Sequence, residues 1–403
     1  MLVIFVTPYF TDSSRLFLRK LAEQPGVRLA AMAQEDVGVL PPELRQRITR
    51  FERVQSALRA DDVTEAAKRI SAAEGPIHRL IGVMEQVQES VAEARDRLDV
   101  PGLRLAQALN FRDKTRMKDL LRAADVPVAR HRLVKTLEEA RGFVAEVGYP
   151  VVVKPPAGAA SQETFRVQDD HALRQVFGTT TKAAGGVALL EEFVTGQECS
   201  FDAFIKDGRV VYYSVSNYYP SCLEAMQNPW IQWCIVLRRD YQSEDIAAIG
   251  QKMLNVLGLE TGMCHGEWFR RKDGSVVISE AAARPPGAML PTLIARAHDV
   301  DCVGAWARLM TTGEFDPFPP RIHATGAAFL RGQGQGRVRA VHGLDRIWRD
   351  LGGLITDTRL PSPGQEKGRS YEGEGVICLR HPDTNVVQDA LKHIITTVRV
   401  ELG

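Results

Sequence analysis

Two carboxylates, Glu267 and Glu280, flank Asp273-Gly274 in the segment GMCHGEWFRRKDGSVVISEAAARPPG. Asp-Gly tolerates the positive φ of a two-residue hairpin turn. Centring the turn there pairs Lys272 with Ser275, Phe269 with Ile278 and Glu267 with Glu280. Directly opposed side chains share a face at roughly 5 Å, where like charges repel. Such a pair asks for a cation between its members. Oxygen ligands at that spacing suit Mg²⁺, which takes carboxylates together with phosphate oxygens. The expectation is a magnesium–nucleotide site; the plain alternative is a solvated hairpin, given the neighbouring Arg270, Arg271 and Lys272. Ala281, Ala282 and Ala283 add no bulk, and Arg284 follows the strand. A guanidinium there suits a carboxylate substrate and a phosphoryl group in transfer.

Upstream lie elements that would carry the nucleotide. Lys154 ends the strand VVVK and enters a loop of small residues, Gly158, Ala159, Ala160 and Ser161. A cation at a strand end beside such a loop reaches phosphate oxygens without crowding, and the loop's N–H groups can fold over the β- and γ-phosphates. A lysine blunting a sheet edge is the commoner use of one such residue. In EEFVTGQE, an exposed run of backbone can read adenine through one carbonyl and one N–H. A later carboxylate can hold both ribose hydroxyls, since it offers only acceptors. A second hairpin, turned at Asp207-Gly208, would set Glu198 against Asn217, on a face with Ser200 and Asp202. Cys199, Phe201, Ala203 and Ile205 would then face the core.

The remaining elements frame these. LVIFVTP reads as a buried strand, SRLFLRKLAEQ as a helix, VRLAAMA as a second strand, and Glu43–Asp99 as largely helical with a solvated charged face. Met117, Leu120, Leu121 and Ala124 repeat at helical spacing before Pro127. RGQGQGRV lacks a following helix and a P-loop Lys-Ser, and so reads as a hairpin turn. The chain ends near a helix in NVVQDALKHIITTV.

With 403 residues, 44% hydrophobic and 25% charged, the chain has room for two or three globular domains. Its net charge of +1 gives no electrostatic case for nucleic acid or an acidic membrane. Six dispersed cysteines without a C-x-x-C pair fit reduced thiols. No stretch reaches transmembrane length, so a cytoplasmic location is expected.

Taken in order, these motifs resemble the ATP-grasp enzymes, in which a strand carrying a Glu pairs with one ending in Glu-x-Asn-x-Arg. Here that run is Glu280, Ala282 and Arg284. Position 282 departs from the pattern, since the Asn that often holds a second metal is Ala, and the expected register sets His265 opposite the vacancy. The resemblance spans roughly residues 100–315. It implies an α/β (α+β) architecture: a Rossmann-like N-terminal domain over 1–105, a small lobe over 106–185, a large lobe with the metal site over 186–315, and a C-terminal α+β subdomain over 316–403. It further implies that Lys114 and Lys154 hold α- and β-phosphates, and that the loop Gly158–Ser161 covers them. Adenine would contact the Glu192 carbonyl and the Val194 amide within Glu191-Glu192-Phe193-Val194, and Glu198 would hold the ribose. Glu267 and Glu280 would carry Mg²⁺, with Mn²⁺ as an alternative ion. Arg284 would stabilise the transferred phosphoryl group, with His265 a candidate base.

The implied reaction is an ATP-dependent joining of a carboxylate to an amine through an acylphosphate. The Tyr-, Trp- and Met-rich stretch SNYYPSCLEAMQNPWIQWCIV would line an amino-acid-sized pocket, unless it is ordinary core. L-amino-acid and dipeptide ligases are the branch most resembled, and a homodimer is expected by analogy alone. Purine-type and biotin-carboxylase-like ligases share the fold. An ATP-binding subunit without catalysis is the reading from another class; Ala282 speaks for it and Arg284 against it.

Overall fold

The computed structural model describes residues 1–157, 163–240, 244–368 and 370–403, and the strands among them form four sheets. The first contains β1 (Leu2–Val6), β2 (Arg28–Ala33), β3 (Ile48–Arg53) and β4 (Ile77–Ile81), ordered β3-β2-β1-β4 and parallel throughout. The apolar run of β1 is buried end to end, as a parallel strand covered on both faces requires. β3 and β4 fall inside the stretch expected to be helical. Both lie at sheet edges and alternate charged with apolar residues (ITRFER, IHRLI), so their half-exposed pattern blends into the flanking charged helices.

The second sheet holds β5 (His131–Val134), β6 (Val151–Lys154), β7 (Phe165–Val167) and β8 (Ala188–Glu192), in the antiparallel order β5-β8-β6-β7. The helix Lys114–Ala123 packs beside it. Asp113 caps that helix by accepting from the Thr115 and Arg116 N–H groups. Lys114 and Lys118 stand one turn apart and therefore share a face.

The largest sheet runs through β9 (Gln197–Lys206), β10 (Arg209–Tyr219), β11 (Trp233–Leu237), β12 (Gly262–Arg270), β13 (Val276–Ala282), β14 (Ala324–Leu330), β16 (Ile355–Arg359) and β17 (Gly375–His381). Their order is β13-β12-β9-β10-β11-β14-β17-β16, while β15 (Val338–His342) pairs apart with β18 (Arg399–Leu402). Two expected boundaries therefore move. β8 closes the small-lobe sheet, which puts the hinge after Glu192 instead of at 185. Residues from 316 onward give three strands to the large sheet and do not stand alone. RGQGQGRV joins β14 to β15, which lie in different sheets, so it is no hairpin turn.

Both functional hairpins contain a bulge. Asp207 and Gly208 take the positive φ values of 51° and 74° that their turn requires. A bulge between Val210 and Tyr212 then shifts the register, so Asn217 faces Cys199 and not Glu198. In β12–β13 the turn holds three residues, not two: the Arg271 N–H donates to the Ser275 carbonyl, and Gly274 takes φ 84°. That alone would offset Glu267 from Glu280. A bulge at Ser279 cancels the offset, and Glu267 pairs with Glu280, His265 with Ala282. The sequence-based register is right at the carboxylates because two one-residue departures compensate.

No helix among the described residues is long and apolar enough to cross a membrane, and the six cysteines are buried free thiols. The hinge after β8 lies flush on the end of β12. A Cβ on Gly196 would collide with the Arg270 carbonyl oxygen, and backbone cannot swing aside as a side chain can. We predict that Gly196→Ala destabilises by about 1–3 kcal/mol, read as a lower denaturant midpoint. An unchanged midpoint would show that the hinge yields freely.

Candidate active site

The β12–β13 hairpin, the hinge and the helix Lys114–Ala123 converge on one cavity between the lobes. Lys114, Lys118, Lys154, Glu191, Glu198, His265, Glu267, Glu280 and Arg284 all line it, as do Glu192, Phe193 and Val194 of the hinge. Gly158, Ala159, Ala160 and Ser161 lie outside the described residues. The cavity holds about 150 Å³, below the ~300–1,000 Å³ usual for small-molecule pockets.

The facing acids already have cations. Lys114 Nζ sits 2.8 Å from Glu280 Oε1, and His265 Nε2 lies 3.6 Å from Glu267 Oε1. Like charge across the hairpin is thus offset by the protein itself, a solution the sequence argument did not consider. His265 Nδ1 also contacts Asp202 Oδ1 at 2.7 Å, and the Ser200 hydroxyl donates to the other Asp202 oxygen at 2.6 Å. Burial alone would lower the His265 pKa, but Asp202 and Glu267 outweigh it and raise the pKa to about 9. The ring also stands beside Glu267, whose own pKa is lowered, against burial, chiefly by His265.

Behind the acids is a buried ionic trio. Glu191 Oε1 lies 2.9 Å from Lys154 Nζ and 3.3 Å from Lys118 Nζ. Lys118 also donates at 2.8 Å to the Ser279 carbonyl, the residue the bulge inserts into β13. Burial would raise the Glu191 pKa, yet the two ammoniums bring it to about 2. Burial lowers that of Lys118 to about 8. Glu191 therefore serves as counter-ion to the lysines. Lys118 was missed; its signal was the spacing of four from Lys114 in KTRMK.

At the hinge, the Glu192 side chain turns away to accept from the Arg130 N–H at 3.0 Å and Arg130 Nε at 2.6 Å. The Arg166 guanidinium lies 4.2 Å from the Phe193 ring centroid. The Val194 N–H donates to no described backbone group. Glu198 Oε2 accepts from the Cys222 N–H at 2.7 Å; burial and the Glu267 charge raise its pKa to about 8. Glu198, Cys222 and Glu267 stand close enough to share an ion, but burial holds the Cys222 thiol protonated.

The Arg284 Nε donates at 2.5 Å to Glu85 Oε2, while Arg112 Nη1 donates at 2.7 Å to Glu85 Oε1. Glu85 belongs to the N-terminal layer, and no local motif marks it. Tyr371, from the C-terminal segment, lines the same cavity with its ring 4.4 Å from that of Trp233. Of the aromatic stretch, Ser221 and Leu223 reach the cavity, whereas Tyr218 and Trp233 are core.

Paired lysines and paired acids thus line one cavity. Residues 112–231 match the family described as phosphoribosylglycinamide synthetase, ATP-grasp (A) domain. An L-arginine-specific L-amino acid ligase of Bacillus subtilis is 22% identical over 232 residues, 56% of this chain and 56% of that protein. The chain spans about half the length of such curated relatives. An L-amino acid ligase structure from Bacillus licheniformis superposes with TM-score 0.80 at 15% identity, covering 100% of this chain and 98% of that one. The biotin carboxylase domain of a Hydrogenobacter thermophilus 2-oxoglutarate carboxylase, solved with MgADP, ADP and bicarbonate, gives TM-score 0.70 at 16% identity, covering 99% and 90%. These likenesses show that the chain has the ATP-grasp fold.

The trio sets an acid limit on stability. Glu191 is more acidic folded than unfolded, so its contribution is complete above the ordinary value of 4.5 and is lost as pH falls toward about 2. Glu191→Gln, which leaves two buried ammoniums unpaired, should cost about 3–5 kcal/mol at neutral pH and flatten the decline below pH 4.5. Denaturant melts between pH 2 and 7 read both; parallel curves for the two proteins would refute the assignment.

Proposed function

We propose that the protein is an ATP-dependent carboxylate–amine ligase forming an amide or peptide bond between amino-acid-like substrates. The observation that supports this most is the convergence of Lys114, Lys154, Glu267, Glu280 and Arg284 on one cavity. Arg284 stands on the same cavity as the facing acids, where a guanidinium suits a phosphoryl group in transfer. The resemblance to amino acid ligases favours amino-acid-like substrates over the purine and bicarbonate chemistries of other ATP-grasp relatives.

The residues fit a hard divalent cation. Glu267 and Glu280 present oxygens on one face, as a hard cation requires. Such a cation, Mg²⁺ or Mn²⁺, would neutralise phosphate charge when bound with ATP. Lys154 and Lys118 carry positive charge at the cavity wall that Glu191 only half offsets, leaving attraction for phosphates. Lys114 would exchange Glu280 for a phosphate oxygen. The Val194 N–H and the apolar walls of Phe193, Phe269 and Ile278 suit an adenine ring.

In the reaction proposed, a carboxylate oxygen attacks the γ-phosphorus and ADP leaves. Arg284 meets the charge of the phosphoryl group in transfer and then of the acylphosphate. The amine attacks the carbonyl carbon, phosphate departs, and the amine proton passes to the departing phosphate or to solvent. Glu85 fixes the direction of the Arg284 guanidinium.

Phosphate release measured against a panel of amino acid pairs tests the proposal. Release that requires both a carboxylate and an amine is expected; ATP binding without release for any pair would favour a non-catalytic subunit. Arg284→Ala should lower kcat by about 10²–10³-fold with ATP affinity little changed. A loss confined to ATP affinity would remove Arg284 from the chemistry. Glu280→Ala should abolish turnover in a folded protein.

A further inference from the structure

Arg284 has a second cavity behind it. This one holds about 520 Å³ and opens between the N-terminal layer and the start of β12, with Arg284 lining both it and the active site. Its size lies within the range of small-molecule sites. Its floor is apolar, from Leu80, Met263, Trp306, Leu309 and Met310.

The opposite wall carries Arg95, only 6% exposed. Its Nε donates to the Leu80 carbonyl at 2.8 Å and its Nη1 to the Leu103 carbonyl at 3.1 Å. Among the described residues no carboxylate pairs with it, and its Nη2 has no partner. A buried guanidinium satisfied only by neutral carbonyls is costly. Arg79 lines the same cavity, bonds the Met310 and His78 carbonyls, and likewise has no acid partner among the described residues. Arg104, the third guanidinium, is offset by Asp96 and Asp99. Burial and these two arginines lower the Arg95 pKa to about 10, so it keeps its charge at neutral pH.

Two further features suit the space to a ligand. Gly102 lies flat on the guanidinium, where a Cβ would stand 2.9 Å from Arg95 Nε. Gln107 has a buried side-chain oxygen with no partner among the described residues, and turning its amide would present an N–H to an acceptor. Asp207 and Glu260 also border the cavity, but as exposed residues that solvent screens.

We propose that this cavity is a binding site for a small organic carboxylate, its anionic head on Arg95 and Arg79 and its apolar body over Trp306 and Met310. Phosphate alone would leave the apolar floor unfilled. A carboxylate bound there would touch the rear of the wall that positions Arg284, without entering the nucleotide cavity.

Calorimetric titration of the full-length, nucleotide-free protein with 3-phenylpropionate, and with its neutral amide 3-phenylpropionamide, tests this. The carboxylate should bind about tenfold or more tightly than the amide, and Arg95→Gln should abolish that preference. Should Arg95→Gln fail to fold by circular dichroism, Arg79→Gln decides, and should weaken the carboxylate about tenfold. Equal binding of acid and amide, no saturable heat with either, or full affinity retained in the folded arginine variants would overturn the proposal.

Discussion

Two carboxylates held opposite one another on adjacent strands set the problem that the rest of this structure answers. Placing Glu267 against Glu280 is unfavourable unless positive charge is brought to them. The fold brings it from two sides. A helix capped by Asp113 delivers Lys114 to Glu280, and β9 supplies Asp202, which holds His265 beside Glu267. The repulsion between the two acids is thereby offset within the protein itself. A cation bound with a triphosphate would exchange one set of partners for another.

Around that core the layers divide the work. The small lobe contributes Lys154 and, through β8, the counter-ion Glu191. The bulge at Ser279 restores the register of the acids and frees a carbonyl for Lys118. The N-terminal layer reaches across through Glu85 to orient Arg284, and the C-terminal segment closes the far side with Tyr371. The middle of the chain and Tyr371 line the cavity, and the N-terminal layer meets it only through Glu85 on Arg284.

What could be read in advance follows from the range of the forces involved. Local turn chemistry marked both hairpins, Asp207-Gly208 and the Asp273-Gly274 region, and alternation gave the polar face of Glu198, Ser200 and Asp202. Bulges were invisible, because an extra residue at Val211 or Ser279 alters no pattern. One displaced Glu198 from Asn217; the other corrected a misjudged turn. Edge strands with alternating charge, β3 and β4, looked helical beside charged helices. Lys114 and Arg284 could be singled out, but their ion pairs with Glu280 and Glu85 could not, since those partners lie far off in sequence. The charge states of His265 and Glu191 were likewise beyond reach, because they are set by what packs against each side chain.

The account rests on Glu267 and Glu280 giving up Lys114 and His265 for a shared metal when nucleotide binds. A crystal soaked with a non-hydrolysable ATP analogue and Mn²⁺ tests this directly by anomalous scattering. The predicted result is a manganese peak within coordinating distance of both carboxylates, with Lys114 moved onto a phosphate oxygen. Manganese or nucleotide bound elsewhere, with the Lys114–Glu280 pair intact, would contradict it.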